Sequence, residues 1–69
     1  MMKWNIQYDE RGNETYFENP SNGYWEKREY DEKNQLTFIE NAWMWWERRE
    51  YDENGVVTKI INANGVIYI

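Results

Sequence analysis

A chain of 69 residues with neither Cys nor His has no disulfides, no thiolate or imidazole metal sites and no nucleophilic triad that needs an imidazole base. Thirteen acidic against eight basic residues leave a net charge of −5, which repels phosphate backbones and anionic membranes and favours a basic partner protein. So short a chain has little surface to bury, yet 19% of it is aromatic, so stability is expected from regular aromatic packing or from self-association.

The first stretch, residues 2–8, alternates Trp4, Ile6 and Tyr8 against Lys3, Asn5 and Gln7, the period of a β-strand. It contains no apolar run of signal-peptide or membrane-spanning length, so the expected compartment is the cytosol. "DERGN" follows: Asp9 opens a type I turn through its side chain and Gly12 accepts the left-handed conformation that closes it, the signature of a hairpin with a bulge. A second strand is predicted over 14–19, then the Asn-led turn "NPSNG", a third strand over 24–30, and the turn "DEKNQ". Strands over 36–41, 44–51, 56–62 and 66–69 complete the series, separated by "NAW", "DENGV" and "NANG". One segment competes. "NAWMWWERREYDE" has a helix N-cap in Asn41 and charges that pair along a helix. Its counterpart "NPSNGYWEKREYDE" places Pro20 and Gly23 where that helix would begin, so a strand is predicted in both.

That counterpart exists because the chain repeats itself. "REYDE" stands at 28–32 and again at 49–53, with "QYDE" at 7–10. Aligned on these, the chain divides into units 8–29, 30–50 and 51–69, each about 21 residues long. Thr15, Thr37 and Thr58 coincide, as do Phe17, Ile39 and Ile60, then Asn19, Asn41 and Asn62, and also Trp25 and Trp46. Short turns impose antiparallel neighbours, so the predicted fold is all-β, a single-domain up-and-down meander of seven strands. Its middle strands carry aromatics on both faces. Tyr24, Glu26, Arg28 and Tyr30 oppose Trp25, Lys27 and Glu29, while Trp45, Glu47, Arg49 and Tyr51 oppose Trp46, Arg48 and Glu50. Such a sheet either curls on itself or buries one face against a second copy, which makes a homodimer an expectation.

For catalysis the residues offer little. Glu26 and Glu47 each have an Arg two positions on, so cross-strand ion pairs are expected instead of a carboxyl with a raised pKa. The acids lack the spacing of a calcium loop, and turn chemistry accounts for each Asp and Asn. The expectation is a binding protein, not an enzyme, without metal or cofactor. In a meander the first, third and fifth turns share one rim, so Asp9, Glu10, Asp31, Glu32, Asp52 and Glu53 would stand in a row about 10 Å apart. Such a row imitates phosphates and suits the nucleic-acid groove of a basic protein. Trp43 and Met44, where the second unit loses a residue, are the second partner-binding candidates, because large aromatics at exposed tips anchor interfaces. Reversing the charge of Asp31, Glu32, Asp52 and Glu53 is expected to abolish partner binding at nearly unchanged thermal stability. The alternative is carbohydrate or cell-wall recognition by Tyr24, Trp25, Trp45 and Trp46.

The three Tyr-Asp-Glu units, "YDERGNETYFENPSNGYWEKRE" the clearest, resemble the tandem YD-type repeats of bacterial and phage-like proteins, of which the RHS/YD repeats are the best-known class. The likeness spans nearly the whole chain. It implies short hairpin units with a Tyr-Asp and Gly-Asn turn, although Asn34 replaces the turn Gly in the second unit and the third stops at Ile69. "NGYWEK" is also similar to choline- and cell-wall-binding repeats. Small acidic cysteine-free proteins of this kind resemble phage-encoded stoichiometric inhibitors of the anti-CRISPR type. That resemblance implies a basic nucleic-acid-binding host effector, such as a CRISPR nuclease, as partner, with no direct contact to nucleic acid or membrane. A structural repeat from a larger surface assembly is the third reading.

Overall fold

The computed structural model describes residues 3–69, and among them there is no helix. Seven strands follow one another: β1 (Asn5–Tyr8), β2 (Glu14–Glu18), β3 (Trp25–Tyr30), β4 (Leu36–Asn41), β5 (Trp46–Tyr51), β6 (Val57–Asn62) and β7 (Gly65–Tyr68). They form one sheet in sequence order, each pairing antiparallel with the next. Position 2 of the expected first strand lies outside the described residues. Residues 41–53 hold the end of β4, a turn and β5, so the helical alternative is not taken. β5 starts at Trp46, two residues later than expected, because the turn holds Met44 at φ 66.

The turn and threonine columns of the repeat each have a structural role. Asp9, Asp31 and Asp52 each accept, on Oδ1, the backbone N–H groups two and four residues on, at 2.8–3.0 Å. Gly12, Asn34 and Gly55 stand at the same place in these turns, with φ of 86, 65 and 84. Asn34 tolerates this because a short amide side chain lowers the cost of the left-handed region. Asn19, Asn41 and Asn62 open the opposite turns, each accepting on Oδ1 the N–H two residues on at 2.9 Å.

The threonines mark β-bulges. Gln7 faces Tyr16 and Tyr8 faces Glu14, so Thr15 has no partner across the ladder; Thr37 and Thr58 are skipped in the same way. Each hydroxyl donates to the carbonyl of the strand opposite, Gln7, Glu29 or Glu50, at 3.2–3.3 Å. A bulge disrupts the backbone ladder locally, and the Thr hydroxyl supplies a donor there. Tyrosines then tie strand to strand: Tyr30 Oη donates to the Glu14 carbonyl at 2.9 Å, and Tyr51 Oη to the Leu36 carbonyl at 2.6 Å.

The sheet measures 44 × 30 × 9 Å. Seven strands with the ordinary twist of about 20° per step would roughly double that thickness, so this layer is nearly flat and does not curl on itself. No described side chain is fully buried. Ladder pairing sorts the side chains into two faces. One carries Ile6, Phe17, Glu26 and Asn41 in one row, Arg28, Ile39, Glu47 and Asn62 in the next, then Arg49, Ile60 and Ile67. We call this the isoleucine face. The other carries Trp25, Lys27, Glu29, Phe38, Glu40, Trp46, Arg48, Glu50, Lys59 and Tyr68.

Candidate binding surfaces

The three Tyr-Asp turns lie on one rim, as the strand order requires. They are also joined to each other. Asn13 Nδ2 donates to Asn34 Oδ1 at 2.8 Å, Lys33 Nζ to the Glu53 carbonyl at 3.0 Å, and Gln35 Nε2 to the Gly55 carbonyl at 3.0 Å. The row is a staircase. Arg28 aligns through Ile39 with Glu47, whereas its repeat counterpart is Arg49, so each unit steps two residues along the strand direction. With two inter-strand spacings across and two residues along, successive turns are about 12 Å apart, slightly more than a rectangular sheet would give.

Within this row the aspartates and glutamates differ. The Asp carboxylates are engaged by their own turns, whereas Glu10, Glu32 and Glu53 are exposed at the tips. Burial alone would raise the Asp9 carboxyl, but the Asn13 N–H, the Asn13 side-chain amide, the Arg11 N–H and the Arg11 guanidinium outweigh it and hold its pKa below the usual carboxylate value. Arg11, 3.9 Å from Asp9, and Lys33 are the cations of the rim. A shallow groove between the second and third of these turns is lined by Asp31, Glu32, Lys33, Arg49, Asp52 and Glu53.

Trp43 and Met44 occupy the opposite rim, separated from the acidic turns by six-residue strands, about 20 Å. Trp43 is 78% exposed and Met44 88%. The Trp43 ring lies 4.8 Å from Tyr24, which in turn lies 5.9 Å from Phe17, itself 5.5 Å from Trp4. A line of four tilted aromatic rings thus crosses one corner of the isoleucine face, and a small hollow lined by Asn22, Gly23, Tyr24, Ala42 and Trp43 opens at its end.

No family model, curated protein or solved structure matches the chain. Geometry alone therefore decides what the candidate residues have in common. Asp9, Glu10, Asp31, Glu32, Asp52 and Glu53 form one row; Trp43 and Met44 form a separate tip. Tyr24, beside Glu26, and Trp45, two residues before Glu47, belong to the isoleucine face; Trp25 and Trp46 point to the other. The four residues considered for carbohydrate thus make no single surface, and Tyr24 finds its aromatic neighbour in Trp43. The bonds that Asn13, Lys33 and Gln35 make between turns escaped sequence reading, because they depend on the stagger of the sheet.

The Glu–Arg pairs form within their strands, between residues two apart on one face, and not across the ladder as expected. Arg28 Nε donates to Glu26 at 2.6 Å and Arg49 Nε to Glu47 at 2.7 Å. Burial by itself would lower the Arg28 pKa, but Glu26 and then Tyr30 raise it; for Arg49 the Glu47 hydrogen bond is the largest influence and also raises it. The Tyr24 hydroxyl, which donates to Glu26 at 3.1 Å, is raised by burial and then by that carboxylate. Among the described residues no cluster of acids converges to hold a metal ion.

Proposed function

We propose that this chain is a non-catalytic acidic binding protein that docks on a basic, nucleic-acid-binding protein and occupies its nucleic-acid groove. The observation that supports the reading is the staircase of exposed Glu10, Glu32 and Glu53, each on a turn whose Asp is already committed to the backbone and whose neighbours are bonded to it. Fixing the turns separates the structural acids from the presented ones. Carboxylates held at about 12 Å intervals keep their spacing when a cationic surface approaches, and a rim of net negative charge steers such a surface toward it. Nucleic-acid-guided nucleases of the CRISPR type have the required groove, so they are the first partners to assay.

The Asp carboxylates hold the turns, so reversing Asp31 or Asp52 would confound binding with folding. The informative variant is Glu10→Lys/Glu32→Lys/Glu53→Lys. It should bind at least about a hundred-fold more weakly, a loss of about 2.7 kcal/mol, to a partner that the wild-type chain competes off its nucleic acid, with no fall in thermal midpoint. Equal binding by the two chains would refute the proposal.

A second reading is supported by the Tyr24–Trp43 ring pair beside Asn22, an apolar platform with an amide at its margin, as a sugar ring requires. It requires salt-insensitive quenching of Trp fluorescence by a glycan, lost in Trp43→Ala and retained in the triple-lysine variant.

A further inference from the structure

Nothing in the described sheet covers either face, and no described side chain is fully buried. The accessible surface, 5246 Å², exceeds the roughly 4,700 Å² of a compact monomer of this mass. Flat sheets of many strands are ordinarily maintained by stacking on another layer. The two faces differ in their fitness for such cover. On the isoleucine face the charged side chains around Ile39 and Ile60 are Glu26, Arg28, Glu47 and Arg49, and all four are consumed in pairs with each other; Glu14, opposite Tyr8, stands apart at the end of β2 next to the acidic turns. That face therefore presents no net charge around Ile39 and Ile60, and the ring series from Trp4 to Trp43 extends its apolar area. The opposite face sets Glu18, Glu29, Glu40 and Glu50 against Lys27, Arg48 and Lys59, an acidic surplus, with Lys59 and Glu50 at 3.8 Å.

We propose that the isoleucine face packs against the same face of a second copy, making a two-layered sandwich. The outline of 44 by 30 Å contains the roughly 800 Å² per partner that a specific interface takes with room to spare. Charge also fixes the orientation. A two-fold axis along the strands would lay one acidic row on the other, six carboxylates against six. An axis across the strands instead lays each acidic row over the uncharged Asn-led turns of the other copy, and mutual repulsion selects it. This inference goes beyond the docking function and does not depend on it, since the exposed glutamates stay on the outer rims of the pair.

Light scattering on a sizing column tests the assembly. The wild-type chain should show twice the monomer mass of 8.6 kDa, and Ile39→Lys should raise the dissociation concentration by at least about ten-fold, which corresponds to about 1.4 kcal/mol. Because a lysine at that position also tests folding, cysteine variants of the Cys-free chain supply an independent readout. Ile39→Cys, at the centre of the proposed interface, should form a disulfide-linked dimer on mild oxidation, and Phe38→Cys on the opposite face should not. For the orientation, a short thiol-reactive linker should join Glu32→Cys to Met44→Cys in a mixture more readily than it joins either variant to itself. A wild-type chain that stays monomeric at millimolar concentration, or cross-linking through position 38 in place of 39, overturns the proposal. Preferential self-linking of Glu32→Cys overturns the orientation.

Discussion

Met44 holds a left-handed backbone, φ 66, with a side chain 88% exposed to solvent. A residue with a Cβ costs roughly 1–2 kcal/mol there compared with the right-handed region, and glycine does not. Met44→Gly should therefore raise the free energy of unfolding by about 1 kcal/mol, read as a higher urea midpoint. An unchanged or lower midpoint would mean that the thioether makes contacts that offset the strain. Strain of this kind is often retained at contact sites, so the same variant should weaken any complex that uses the Trp43–Met44 tip. Asn34 shares the conformation, but its amide accepts from Asn13, and replacing it with Gly exchanges one gain for one loss. Sequence marked Asn34 by its alignment with Gly12 and Gly55; it could not mark Met44, since the unit loses a residue there and the turn that Asn41 opens has no closing Gly such as Gly23. Asp9 makes the residue scale pH-dependent. Its carboxyl is held below the usual value in the fold, so its stabilisation is present above the unfolded pKa and lost as pH falls through the folded one. Asp9→Asn keeps an acceptor oxygen and removes the charge. Thermal midpoints of the two chains should differ near neutrality, favouring the wild type, and converge in acid; parallel curves would dissociate Asp9 from the acid response.

At the scale of the element, the unit is a hairpin pinned at two points beyond its ladder. The Thr hydroxyl serves the carbonyl at the bulge, and the Tyr hydroxyl reaches the first residue of the strand before it. Thr37→Val and Tyr51→Phe each remove one such bond with little change in shape, and each should cost about 1 kcal/mol in chemical denaturation. Tyr8 supplies the control. It holds the same place in the repeat, but the described sheet has no earlier hairpin for it to reach and it is 60% exposed, so Tyr8→Phe should change stability by less than about 0.5 kcal/mol. Equal losses at positions 8 and 51 would show that the Tyr column is kept for some other reason. The Thr column was legible as a repeat and not as a device. The Asp turn announces a bulge at the hairpin loop, but alternation assigns every strand residue a partner, and the skipping of the Thr becomes visible only once the register on both sides is known. Turn chemistry was legible in full at the Asp turns, because there the side chain of one residue decides the conformation of the next four.

For the whole molecule, the meander, its strand order and the common rim of the acidic turns were all readable from short turns and a 21-residue period. The stagger that turns the row into a staircase was not. It depends on how register shifts add up from strand to strand, which local patterns do not record. A sheet built this way has stability that grows with the number of units, since each touches only its neighbours. Duplicating residues 30–50 directly after Glu50 tests this. The inserted unit begins at Tyr30 where Tyr51 stood and ends at Glu50 before Tyr51 resumes, so every bulge, Asn-led turn and tyrosine contact keeps its phase. The product should be a nine-stranded sheet with two further strand interfaces, one more tyrosine contact and a fourth step in the acidic row. It should unfold cooperatively at a higher temperature, with a urea m-value larger by roughly the ratio of strands, nine to seven. The added row also brings Asp31, Glu32 and Lys33, a net charge of −1 on the same rim, so part of the gain should appear only once salt screens the carboxylates. A longer chain that melts lower at both low and high salt, or in two separate steps, would mean that the units do not support one another, and the repetition would then need a reason other than architecture.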